Sequence, residues 1–245
     1  MKRFTLPTLG TLLVLLGLWS CGSSSDKEQE QTTDLTNTVE TPVANDLASV
    51  KARLQSIQNQ LTQSNPETTG DVADQLALAD EMGMLWKSPA DGFPGFLNAD
   101  VFTAYIPAVF QDASNAKDYH FQGSAQIGGE KKRWNGTISI NKAPMLVEGT
   151  GKATHGIALG TFTIKENTGM PNAHQYEGTV QCMFSNNTEE GTVSRRSITD
   201  LPAGASAILF VGMRTPANGD TAEVALWGLG DEEDLSALLG QTESM

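Results

Sequence analysis

The chain has 245 residues, 39% of them hydrophobic and 18% charged, enough for one ordinary packed core. Sixteen Lys and Arg against 29 Asp and Glu leave a net charge of −13, which excludes a broad phosphate-neutralising face and with it a nucleic-acid partner. Two cysteines and three histidines exclude a disulfide scaffold and a four-cysteine zinc site, and leave little material for a histidine-rich metal centre.

The first twenty residues carry a basic start, Lys2 and Arg3, then an apolar run from Thr8 to Leu18, with no acidic residue before Asp26. That is the pattern of a secretory signal, too short to span a bilayer comfortably. The run ends at Leu18-Trp19-Ser20-Cys21, which resembles the lipobox of bacterial lipoproteins. The resemblance implies diacylglyceration of the Cys21 thiol, cleavage just before it and acylation of the new amine. A thiolate is the competent nucleophile for that thioether. Losing Lys2 and Arg3 takes the net charge from −13 to −15. Two or three acyl chains make a firm anchor, while so acidic a body is held off anionic headgroups. Gly22 after the cysteine resembles cargo released to the outer membrane rather than retained at the inner one.

Residues 22–45 contain few apolar side chains and read as a solvated tether. Val43, Leu47, Val50, Leu54, Ile57 and Leu61 then follow at spacings of 4, 3, 4, 3 and 4, an a/d stripe. Asn45 or Asp46 can cap this helix and Asn65-Pro66 stops it. The stripe can serve weak self-association through residues 43–61, or lie on the chain's own domain. Residues 71–87 read as a second helix with a broad apolar face, and residues 96–110 as a short third helix interrupted at Pro107.

The C-terminal half repeats a short pattern six times, centred on Gly123, Gly136, Gly149, Gly160, Gly178 and Gly191 at spacings of 13, 13, 11, 18 and 13. The positions two before, two after and four after each glycine are mostly apolar. The position one after is Ser or Thr in every copy: Ser124, Thr137, Thr150, Thr161, Thr179 and Thr192. Such period-two alternation is the signature of half-buried antiparallel strands, over residues 121–127, 134–140, 147–153, 158–164, 176–182 and 189–195. The glycines fall on the apolar face, where a missing side chain lets a sheet bend or another backbone approach. Residues 205–213 and 221–229 add two more strands around the Asn218-Gly219-Asp220 turn. Residues 231–240 read as a short terminal helix.

The expected fold is therefore mainly β: about eight antiparallel strands in a meander, closed as a barrel or left as a strongly curved sheet, preceded by a tether and two or three helices. In shape alone this resembles the small barrels of the avidin and lipocalin class. The domain order is a signal peptide over 1–20, a lipidated tether over 21–45, a heptad helix over 46–64, and a helical lead-in with the β-rich domain over 71–245.

Catalytic motifs are absent from the sequence. Gly151-Lys152 lacks the first glycine and the final Ser or Thr of a P-loop, and there is no G-x-S-x-G elbow. His120, His155 and His174 have no metal-ligand spacing, and Cys182 lies on an apolar strand face as a buried thiol. Phe121, Trp134, Phe162, Tyr176 and Phe184 would line a barrel interior and are the candidate ligand-binding residues. The expectation is a membrane-anchored lipoprotein of the bacterial envelope with a non-catalytic binding or structural β domain and no cofactor or metal. Its partners would be the membrane, through acyl chains on Cys21, and a small apolar ligand or an envelope protein. The alternative is a periplasmic or surface hydrolase, with a site assembled from dispersed carboxylates or histidines.

Overall fold

A computed structural model describes residues 46–63, 68–79, 82–146, 155–167, 173–187, 190, 192–201, 205–219, 221–230 and 232–240. The signal peptide, Cys21, the tether, Val43 and the strand expected over 147–153 lie outside the described residues.

Eight antiparallel strands close into a barrel. In chain order they are β2 (Phe93–Leu97), β3 (Asp100–Gln111), β4 (Asp118–Ile127), β5 (Glu130–Lys142), β7 (His155–Glu166), β8 (His174–Asn187), β10 (Ile208–Pro216) and β11 (Glu223–Leu229). Each pairs with the next, and β11 returns to β2, so the barrel is an up-and-down meander without a crossover. Three short strands flank it: β1 (Thr68–Asp71) on β6 (Pro144–Leu146), β6 on β7, and β9 (Thr192–Arg195) on β8. Closure removes the sheet edges that would otherwise template aggregation.

The glycine repeat has a packing origin. Glycines and aromatic rings face each other across neighbouring strands: Gly123 with Trp134, Gly136 with Phe121, Gly178 with Phe162, and Gly156 with Phe184. A Cβ at Gly136 would overlap the Phe121 ring, and one at Gly178 would come within 2.5 Å of the Gly212 Cα. The missing side chains let large rings lie flat against the inner wall and let backbones close up where the sheet coils. Inner positions are aromatic while the outer positions of β4, β5 and β7 are largely polar, the reverse of a barrel dissolved in lipid.

Residues 96–110 do not form a helix. They supply the end of β2 and nearly all of β3, joined at Asn98-Ala99, where Asn98 takes a φ of +52° and its Oδ1 accepts the Val224 N–H at 3.1 Å. Pro107 falls in a bulge between Tyr105 and Ala108, where no ladder bond is demanded of it. Beside the bulge, Ser88 takes over the pairing of β3: its N–H donates to the Ile106 carbonyl and its Oγ accepts the Ile106 N–H. The alternation of apolar residues around aromatic and β-branched positions suits a strand, and tertiary pairing overrides the helix expected here.

The helix expected over 71–87 is broken up. Only α2 (Ala73–Ala77) and a 3₁₀ turn over Met82–Leu85 form among the described residues. Ala73, Leu76, Met82, Leu85 and Trp86 join the interior cluster, so this segment plugs the barrel end where β4 begins and β5 finishes. The Arg195 guanidinium fixes the plug, donating to the carbonyls of Leu85 at 3.1 Å and Lys87 at 2.7 Å.

The heptad stripe forms α1 (Leu47–Gln63), capped by Asp46, whose Oδ1 accepts the N–H groups of Ala48 and Ser49. Its seam meets the chain's own barrel. Val50 and Ile57 are fully buried, with Leu47 and Leu54 packed beside them, on an outer apolar face made by Leu209, Val211, Val224 and Leu226. Leu235 and Leu239 of α3 (Glu232–Gly240) cover the same face. From Leu47 to Ile57 the seam thus packs within the chain. Ile57→Asp should release α1 at a cost of about 3 kcal/mol, by burying a charge without a partner. The barrel should survive, because its interior cluster is separate. Rapid amide exchange confined to residues 47–63 would show this; unchanged protection there would mean the helix is not held by its seam.

Candidate functional site

The five aromatic residues expected to hold a ligand all belong to the barrel's interior cluster. Phe121, Trp134, Phe162, Tyr176 and Phe184 are each no more than 2% exposed. The ring of Trp227, at the centre, lies 5.0 Å from Phe162, 5.8 Å from Trp134 and 6.3 Å from Tyr176, and stacks on Phe210 at 4.9 Å with 7° between the rings.

At the barrel end opposite the plug, the interior turns polar. The buried Glu166 accepts the Tyr176 hydroxyl at 2.9 Å, with an Arg214 nitrogen 3.6 Å away. Arg214 donates to Glu223 at 2.7 Å and lies over the Tyr176 ring. Since a guanidinium only donates, the His174 Nδ1, 3.1 Å from Arg214, must accept. Burial holds the Tyr176 phenol well above its usual range, so it stays a donor to Glu166. This network closes the end of the barrel. Cys182, at the plugged end, has its thiol pushed up to about 12 by burial, which makes it inert at neutral pH.

Exposed polar groups converge on the outer wall. A trough of about 540 Å³ runs across β4, β5 and β7. Register sets its lining in two rows. Phe110, His120, Thr137 and Thr163 are successive cross-strand partners on β3, β4, β5 and β7. Gln122, Asn135 and Lys165 form the next row. Neighbours within a row stand about 4.8 Å apart and the rows about 6.8 Å apart, by the geometry of a pleated sheet. All these side chains except Thr137 are exposed.

His120 is held from both sides. Its Nε2 lies 2.7 Å from Asp112 Oδ2, and its Nδ1 lies 3.1 Å from Thr137 Oγ1. The Ser114 hydroxyl, then His120 and the backbone N–H groups of Ser114 and Asn115, keep the Asp112 carboxyl far below the usual carboxylate range. Asp112 therefore stays ionised and orients the ring. Chemically, the trough offers hydroxyls, amides, an ammonium and one aromatic face on a rigid wall. Among the described residues, no group of three or more His, Cys, Asp or Glu side chains is placed to hold a metal ion.

Sequence reasoning missed this site. Phe110 falls inside an expected helix, and the two rows exist only through cross-strand register. The hint is the row of outward Ser and Thr beside the repeated glycines, of which Thr137 is a member. No protein-family model, curated protein or solved structure matches the chain.

Proposed function

We propose that the protein is a lipid-anchored binding protein of the bacterial cell envelope, held by acyl chains on Cys21 and binding through the outer trough. The observation that carries the binding half is the contrast between the two faces of the wall. The interior is filled by interlocked rings, whereas the outer trough gathers exposed polar side chains on three strands. Rigid strands position such groups better than loops do. The Leu18-Trp19-Ser20-Cys21 sequence supports the anchor. Cells fed a labelled fatty acid should label the wild-type protein, and Cys21→Ser should remove the label entirely. An unlabelled wild-type protein, or equal labelling of the variant, overturns the anchor.

The hydrolase reading has one observation in its favour, the Asp112–His120–Thr137 relay beside the trough. Against it, the backbone N–H groups of β5 around Thr137 are consumed by ladders to β4 on one side and β7 on the other, so the backbone there forms no oxyanion hole. The relay serves better to fix His120 as part of the trough wall.

A further inference from the structure

We infer that the ligand of the trough is a carbohydrate chain, an inference that rests on the trough being the binding face. The chemistry of the lining selects among ligand classes. Gln122, Asn135, Thr137, Thr163 and Asn167 present neutral donors and acceptors. Phe110, 61% exposed at one end of the first row, presents an aromatic surface. A pyranose ring has a rim of hydroxyls and an apolar face of C–H groups, so it needs both kinds of partner together. Aromatic faces serve the C–H surface and strand-borne amides and hydroxyls serve the rim.

Other classes fit less well. An extended peptide docks on a sheet by pairing with an unpaired strand edge. Here β4 is paired with β3 and β5, and β5 with β4 and β7, so no edge opens into the trough. A phosphate-rich ligand wants several cations or a nest of backbone N–H groups, and the lining has Lys165 with His120. An apolar ligand would leave the amides and hydroxyls without water or partner. Charge is consistent as well. In a chain of net charge −13, the one acidic residue of the lining is Glu166, buried and bonded to Tyr176. Asp112 beside His120 and the exposed Glu177 opposite Thr163 flank the lining with negative charge, so a neutral glycan is favoured, and Lys165 is the group that would meet a carboxylate on an acidic one.

The test uses the full-length protein in detergent, applied to immobilised neutral gluco-, xylo- and galacto-oligosaccharides and to acidic oligogalacturonides, followed by calorimetric titration. Wild type should retain at least one of these. Phe110→Ala and Asn135→Ala should each weaken it about tenfold, the scale of a single well-made interaction. Asn135→Trp, which fills the trough from an exposed strand position, should abolish it. Lys165→Gln should weaken binding of the acidic oligosaccharides alone if they are the ligand, and spare the neutral ones. Thermal melting of each variant confirms that it folds. Retention of no oligosaccharide by wild type, or equal retention by Asn135→Trp, overturns the proposal. A mixed set of non-sugar fragments, screened by ligand-observed NMR against wild type and Asn135→Trp, separates the two readings. Fragments displaced by the tryptophan in the absence of any sugar binding would keep the trough as a site and discard the carbohydrate. Silence in both screens discards the trough.

Discussion

Trp227→Ala should lower stability by about 3–5 kcal/mol, the range for truncating a fully buried large aromatic side chain. Trp227 is fully buried and meets Phe102, Trp134, Phe162, Tyr176 and Phe210, so no flexible neighbour is placed to collapse into the gap. For a domain of this size such a loss lowers the melting temperature by about 6–20 °C. It is also a large part of the roughly 5–15 kcal/mol that holds a typical domain folded. Trp227→Phe should recover most of it. The indole N–H has no hydrogen-bond partner among the described residues, so phenylalanine gives up volume but no hydrogen bond. Urea denaturation of the three proteins is the measurement. A Trp227→Ala loss below about 1 kcal/mol would mean the interior is loosely filled, in contrast to the behaviour of close-packed cores. The interior would then return as a candidate ligand space.

The same packing explains which parts of the fold are legible in the sequence. An inward glycine between alternating apolar positions is a local signal, and β4, β5, β7 and β8 lie where it places them. The expected number of strands, eight, matches the barrel through a different membership. Residues 192–195 form the flanking strand β9, residues 147–153 lie outside the described residues, and β2 and β3 complete the ring instead. Those two are hidden because Pro107 mimics a helix break when its bulge cannot be seen. The heptad stripe identifies a helix with one apolar seam. Its partner is not legible, since the outer face of β10 and β11 looks like ordinary strand core until the barrel closes.

The trough is illegible for a related reason. Alternation tells which side chains share a face of one strand, but not which residue of the next strand stands opposite. Thr137 meets His120 where Phe121 sits on Gly136 in the register of β4 against β5, and it meets Thr163 through the separate register of β5 against β7. Core packing thus sets the geometry of the outer wall one residue away. A ring that fills the inside decides which hydroxyls line up outside.

Arg214→Met should cost about 3–5 kcal/mol, the penalty for removing one partner of a buried ion pair. Glu166 would keep the Tyr176 hydroxyl but lose the cation 3.6 Å away, in a place where its side chain is 6% exposed. Glu223, at the more exposed rim, loses its 2.7 Å partner and can turn to water at little cost. Adding Glu166→Gln should then restore most of the loss, because a neutral amide oxygen still accepts from Tyr176 and no charge is left uncompensated. Glu166→Gln alone should be destabilising, since it leaves Arg214 with Glu223 and His174 but without its buried counter-charge. The four proteins form a double-mutant cycle read by urea denaturation, with an expected coupling of about 1–3 kcal/mol between the two sites. Additive losses would mean that Arg214 and Glu166 do not sense each other, and that Glu223 and His174 position the guanidinium.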